Sequence, residues 1–245
     1  MRLIRVYVEA PLAAGARVEL RGSAREHLTR VLRLGAGDAV TLFNGDGSDY
    51  PSVLSELRRG SAVAEVRSGA PARTESPLAI TLVQGIARAE RMDLVIQKAT
   101  ELGVAAFQPV VTDRSVVKLD ATSRARKLAH WRGIAIAACE QCGRARLPEV
   151  AQPLALPDWL GRPQRAGARR LQLDPDARQP LAAAAAGATS LELLVGPEGG
   201  LTAAEQDAAR QTGYLSCRLG PRVLRSETAS IAALAVLQAT AGDLT

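Results

Sequence analysis

Between Leu191 and Glu205 the chain reads LELLVGPEGGLTAAE, and few segments restrict a fold as much. Leu191–Val195 is apolar enough for a central strand. Gly196-Pro197-Glu198-Gly199-Gly200 then turns the chain on nearly bare backbone, and Thr202-Ala203-Ala204-Glu205 is a capping box that opens a helix. Strand, glycine-rich turn and helix N-terminus in succession belong to open α/β sheets, whose ligands sit beyond the carboxyl ends of the strands. A plain connector needs one or two glycines, not three around an acid. The pattern recurs at LSCRLGPRVLRSETA: Leu215–Leu219 reads as a strand and Gly220-Pro221 as a turn. A helix then opens at Ser226 or Glu227, with Ile231, Leu234 and Leu237 in register. Leu171-Gln172-Leu173-Asp174-Pro175 is a third strand and turn. The three turns are placed to converge on one pocket.

Upstream the same grammar holds back to about residue 78. LAITLVQGI and AAFQPVVT read as strands. RMDLVIQKATELG reads as a helix with Met92, Val95, Ile96, Ala99 and Leu102 on one stripe, stopped by Gly103. A long helix is predicted from about Ser123 to Gly143, and PLAAAAAG is a filler helix between Pro180 and Gly187. The first seventy residues differ. RVYVEA, ARVELRG, DAVTLFNG and SAVAEV are short strand-like runs separated by turn signals. One helix interrupts them, opened by the capping box Ser23-Ala24-Arg25-Glu26, apolar at Leu28, Val31 and Leu32, and stopped at Gly35. RSGAPARTESP, Arg67 to Pro77, has linker punctuation. The chain is thus expected to hold a β-rich domain over residues 1–70, a linker over 71–77 and an α/β domain with parallel strands over 78–245.

Charge narrows the partners. The net charge is +6 with a pI near 9.8, and 28 of the 31 basic residues are arginine. Arginine's planar fork suits phosphate oxygens, so RNA is the partner to expect, although a host genome rich in G and C gives the same composition. No apolar run is long enough to span a membrane and no signal peptide precedes the first strand, so a cytoplasmic location is expected. Three cysteines argue against a disulfide framework. Cys139 and Cys142 form a lone CxxC, the two histidines lie far from it, and no metal site is expected. The P-loop and the dinucleotide fingerprint are both absent. A turn holding Glu198 and no lysine disfavours triphosphates but tolerates a cationic ligand such as a sulfonium.

VGPEGGLTAAE and LGPRVLRSETA resemble the C-terminal signature loops of the knotted SPOUT methyltransferases, and within them the RsmE family of 16S ribosomal RNA uridine-N3 methyltransferases. HLTRVLRLGAGD and FNGDG are similar to that family's N-terminal PUA-like β-barrel. IQKATELGV, RSVVKLD and HWRGIAIAACEQCGR are similar to its methyltransferase half, so the likeness covers nearly the whole chain. The resemblance implies an α/β-knot (trefoil) domain that binds S-adenosyl-L-methionine in its knot loops, and a homodimer whose active site uses both subunits. It implies a pocket formed by Leu173, Gly196, Pro197, Glu198, Gly200, Leu219, Gly220 and Leu224. The first loop departs from the family in carrying Asp174-Pro175 where some relatives have His-Pro.

Methylating uridine N3 requires removal of the N3 proton and stabilisation of negative charge on O2 and O4. RSETA supplies both groups: Arg225 as donor and Glu227 as proton acceptor, although an acid there also suits the helix dipole. Glu198 is expected either to orient the loops by accepting backbone N–H bonds or to touch substrate. Candidate contacts to 16S ribosomal RNA, free or in the small subunit, are Arg2, Arg5, Arg25, Arg30 and Arg33, then Arg91, Lys98, Arg114 and Arg144. Lys98 is also placed to pair with Glu101 on its own helix. With only seven aromatic residues the chain lacks a stacking platform, so phosphates, shape and a flipped uridine are expected to carry recognition. Two rivals stay open: a knotted enzyme with another RNA target, such as a ribose 2′-OH, and a non-catalytic assembly factor. Ser226-Glu227-Thr228 stands where ribose enzymes of the superfamily tend to carry Asn, and intact glycines in the loops weigh against decay.

Overall fold

Alternation of apolar and polar residues in the first seventy positions produces one curved sheet. Its strands are β1 (Arg5–Tyr7), β2 (Arg17–Arg21), β3 (Ala39–Phe43), β4 (Ser48–Arg58), β5 (Ser61–Val66) and β6 (Ala70–Pro71). The order is β1-β3-β4-β5-β2, with β6 paired to β4. Only β1 and β3 run parallel. Because β1 and β2 remain edges, the sheet is a half-barrel around Val6, Leu20, Leu28, Leu42, Leu54 and Ala64. The computed structural model describes residues 4–115 and 121–244. The described chain forms two units, Met1–Glu75 with Ile136–Leu147 and Ser76–Ala135 with Pro148–Thr245.

Two features of the first unit differ from the sequence reading. The longest strand, β4, was not expected, because SDYPSVLSELR carries a proline and its alternation breaks where the register shifts between Leu54 and Glu56. The helix is also short. α1 (Gly22–Glu26) passes into a π-helical turn over His27–Val31. The left-handed residue that follows is Arg33, at φ 56°, while Gly35 instead donates its N–H to Asp38 at 2.7 Å. The side chain of Ser23, the expected cap, lies outside the described residues.

The stretch Arg67–Pro77 is more than a tether. Ala70–Pro71 adds to β4, and the Glu75 carboxylate accepts from Arg144 Nη2 (2.9 Å), Arg144 Nε (3.1 Å) and the backbone N–H groups of Ala145 and Arg146.

The second unit is a wholly parallel α/β sheet. In chain order it contains β7 (Ala79–Gly85), α2 (Ala89–Glu101), β8 (Ala106–Val111), the part of α3 (Ala121–Cys142) before Ile136, β9 (Glu149–Val150), β10 (Leu154–Ala155) and α4 (Leu156–Leu160). It continues with β11 (Arg169–Leu173), α5 (Leu181–Ala185), β12 (Ser190–Val195), α6 (Ala203–Gln211), β13 (Leu215–Cys217) and α7 (Ser226–Ala241). The strand order is β10-β8-β7-β12-β11-β13, with β9 on β8. One face carries Ile80, Leu82, Leu171, Leu191 and Leu193 and is covered by α2, α5 and α7. The other carries Val83, Val110 and Leu194 beneath α4 and α6. Among the described residues no helix is long and apolar enough to cross a membrane.

That second face also buries charge. Arg170 and Glu192 stand directly opposite in the β11–β12 register, 2.8 Å apart and each 4% exposed. The Tyr214 hydroxyl donates to Glu192, and Trp159 Nε1 donates to Tyr214. Burial holds the Tyr214 phenol far above its usual range, which keeps it a proton donor to the carboxylate. Removing one member of a buried pair strands the other. Glu192→Gln is therefore expected to cost about 3 kcal/mol, read as a lower urea midpoint at unchanged slope.

Candidate active site

The expected loops meet at the carboxyl ends of the second unit's strands, and they do so because side chains are missing there. A Cβ on Gly85, the last residue of β7, would lie 2.5 Å from Pro197 Cδ and 2.6 Å from Pro197 N. Glycine alone lets the β7 end and the turn after β12 touch. The turn closes through Gly200 N–H to Pro197 O at 2.9 Å, with Gly200 at φ 69°. Beneath it lies the fully buried amide of Gln84. Its Nε2 donates to Gly85 O at 3.0 Å and approaches Gly196 O at 3.4 Å, while its Oε1 accepts from Ser230 Oγ at 2.6 Å. One side chain thus ties β7, the glycine turn and α7 together. The capping box forms as read: Glu205 N–H donates to Thr202 Oγ1 at 3.2 Å and Thr202 N–H to Glu205 Oε2 at 2.8 Å. Glu205 Oε1 additionally accepts from Asp113 N–H at 2.9 Å.

The first and third loops lie side by side. Asp174 N–H donates to Cys217 O, Arg218 N–H to Gln179 O and Leu181 N–H to Arg218 O, at 2.9, 2.9 and 3.0 Å. Leu173 and Leu219 are half-buried against the main core, and Leu224 is half-buried in the segment before α7.

The acid in the glycine turn is a fastener. Glu198 Oε1 accepts from Arg88 N–H at 3.0 Å and lies 3.3 Å from Arg91 Nη1. Burial alone raises its carboxyl, yet these backbone N–H and guanidinium partners outweigh that and hold it below the ordinary glutamate value. The same guanidinium reaches the other loop, with Arg91 Nε 3.8 Å from Glu227 Oε1. Glu227 is 14% exposed, and Ser226 Oγ donates to its Oε2 at 3.4 Å. Arg225, the N-cap residue of α7, is exposed. Arg114 Nη1 donates to Gly199 O at 2.8 Å. The geometry brings Arg91, Glu198 and Glu227 into one charged cluster, and Arg225 is exposed two residues before Glu227.

A family model for an RNA methyltransferase domain matches residues 74–238, and one for an RNA methyltransferase PUA domain matches residues 20–67. The chain is 31% identical over 243 residues to the ribosomal RNA small subunit methyltransferase E of Buchnera aphidicola, covering 99% of this chain and 98% of that one. The chain belongs to the ribosomal RNA small subunit methyltransferase E family. The Mycobacterium bovis member is 35% identical over 93% of this chain and 88% of its own. A crystal structure of the Neisseria gonorrhoeae member bound to S-adenosyl methionine superposes with a TM-score of 0.92 at 35% identity, covering 99% of this chain and 100% of that one. The first unit carries the PUA-like half-barrel sheet, and the second the parallel α/β sheet of the RNA methyltransferase domain.

The basic residues singled out for RNA divide by environment. Arg30 and Arg33 are exposed, Arg30 beside Glu26 at 3.4 Å. Arg25 is half-buried and reaches Arg58 O at 3.4 Å. Lys98 pairs with Glu101 at 2.8 Å along its own helix. Arg5 and Arg144 point inward instead. Arg5 is 5% exposed, pairs with Asp49 and lies 4.7 Å over the Phe43 ring, while Arg144 is 5% exposed against Glu75. A guanidinium withdrawn from water needs such partners, and these two serve the interior of the first unit. Arg2 lies outside the described residues.

Sequence reasoning missed Gln84 and Ser230. The signal was present, since a glutamine inside LAITLVQGI must bury an amide. Cys139 and Cys217 are free and buried, their thiols pushed up to about 12 by burial, and among the described residues no metal-holding cluster forms.

Gly85→Ala forces the turn away from β7. We expect a loss of about 1–3 kcal/mol in urea unfolding and faster amide exchange at Gly199 and Gly200. Glu198→Gln tests the fastener through pH. A carboxyl lowered on folding adds stability that is present above the ordinary value of 4.5 and is lost as the pH falls through the lowered value. The wild-type protein is expected to be more stable than Glu198→Gln at neutral pH, and the gap between their urea midpoints to close on acidification below 4.5.

Proposed function

We propose that this protein methylates N3 of a specific uridine in 16S ribosomal RNA, using S-adenosylmethionine. The coarser statement, that it is an S-adenosylmethionine-dependent ribosomal RNA methyltransferase, follows from its family. The observation that supports the finer reading is Glu227: a carboxylate 14% exposed at the head of α7, held by Arg91 and Ser226 two residues from an exposed guanidinium.

The donor site fits the loops. A Cβ on Gly200 or on Gly220, at φ 69° and 75°, would meet nothing within 4 Å, so bare backbone is open to a ligand at both turns. Leu173, Gly196, Pro197, Glu198, Leu219 and Leu224 complete the set that would hold it. When bound, the donor supplies an electrophilic methyl group. Glu227 accepts the N3 proton, and Arg225 stabilises the negative charge that then spreads onto the uracil oxygens. Glu198 stays on Arg88 N–H and Arg91, so its part is to shape the turn.

The RNA reaches the site through backbone contacts. Arg30 and Arg33, in the domain proposed over residues 1–70, and Arg114 of the methyltransferase domain (residues 78–245) are exposed cations placed to meet phosphates. The protein acts in the cytoplasm as a homodimer; Val223, 81% exposed in the loop that carries Arg225, is an apolar residue for a partner to cover.

Small ribosomal subunits lacking the mark, incubated with the protein and labelled donor, are expected to gain one methyl group on the base of one uridine, read by mass spectrometry of nuclease fragments. Methyl on ribose would exclude the reading. Glu227→Gln is expected to lower turnover by about 10²-fold or more with donor affinity within about twofold of wild type. Near-wild-type turnover would remove Glu227 as the proton acceptor.

A further inference from the structure

We propose that Arg91 is a positioning residue that couples occupancy of the donor loop to placement of the base, by holding one carboxylate from each. The inference rests on the reading of Glu227 as proton acceptor. Arg91 lies in the first turn of α2, outside both loops, and its side chain is 31% exposed. Its Nη1 faces Glu198 at 3.3 Å and its Nε faces Glu227 at 3.8 Å. Two different nitrogens of one rigid fork are therefore assigned to two different loops. A lysine presents a single compact charge and cannot keep both directions.

The two carboxylates are unequally held. Glu198 also accepts from Arg88 N–H, which fixes it to the start of α2. Among the described residues Glu227 meets Arg91 and takes a long bond from its neighbour Ser226. Movement of the glycine turn shifts Glu198 against the guanidinium, and the guanidinium is the cation that orients Glu227. A ligand that settles Gly196–Gly200 in this conformation settles the base as well. By thermodynamic reciprocity, what steadies Glu227 tightens the donor site.

The test is a pair of double-mutant cycles, with donor affinity measured by calorimetry using S-adenosylmethionine and kcat in single turnover on unmodified small subunits. Arg91→Gln is expected to weaken donor binding about fivefold, a typical coupling, and to lower kcat about tenfold. The affinity loss should vanish in a Glu198→Gln background, and the kcat loss in a Glu227→Gln background. Arg91→Lys should recover the melting temperature without recovering donor affinity, which separates folding from coupling. Unchanged affinity in Arg91→Gln, or additive effects in both cycles with Glu227→Gln inactive, would overturn the role of Arg91 while leaving the base assignment intact. A fully active Glu227→Gln would instead remove the base assignment, and the affinity cycle with Glu198 would still read whether Arg91 controls the turn.

Discussion

The active-site end of this protein depends on one close approach: the backbone of Gly85 against the Pro197 ring, which no side chain at position 85 would permit. That contact sets the turn Gly196–Gly200 directly on the end of β7. Two buried groups then lock it. Gln84 spans Gly85, Gly196 and Ser230, and Glu205 spans the N-terminus of α6 and Asp113 N–H. Both are polar groups in a dry setting, where an unmade bond is costly and a fully made one specifies a single arrangement. The turn is shaped by the sheet and its helices before any ligand arrives.

Arginine dominates the basic residues, and three of its copies have an internal use. Arg5, Arg144 and Arg170 are each about 5% exposed or less and meet Asp49, Glu75 and Glu192. Arg169 caps the carbonyls of Ala184 and Ala186 at the end of α5. Each buried guanidinium ties segments distant in sequence, as Glu75 does for residues 144–146. A high pI is therefore a poor count of cations free for RNA: part of the excess is consumed inside the two units.

What could be read from the residues alone follows from this. The strand–turn–helix units of the second half were clear, since Leu191–Val195, the Thr202 capping box and the α7 stripe obey local rules that tertiary packing only reinforced. β4 was not, because a bulge at Leu54/Glu56 shifts the phase of alternation and Pro51 reads as a breaker. Glu192, an acid inside an apolar strand, and Gln84, an amide in another, both announced buried networks, yet their partners Arg170 and Ser230 lie 22 and 146 residues away. Pattern shows that a group must be satisfied; only the fold shows by what.

The same limit explains Arg91. Read along the chain it is one more cation for phosphate; in space it stands between the two carboxylates of the site. An acidic turn suits a sulfonium, but a surface that must also admit RNA cannot present two bare carboxylates to a phosphate backbone. A guanidinium shared between Glu198 and Glu227 offsets part of that repulsion from outside both loops. Partial charge compensation at the site and orientation of the base are thus two consequences of one side chain, placed on a helix that belongs to neither loop.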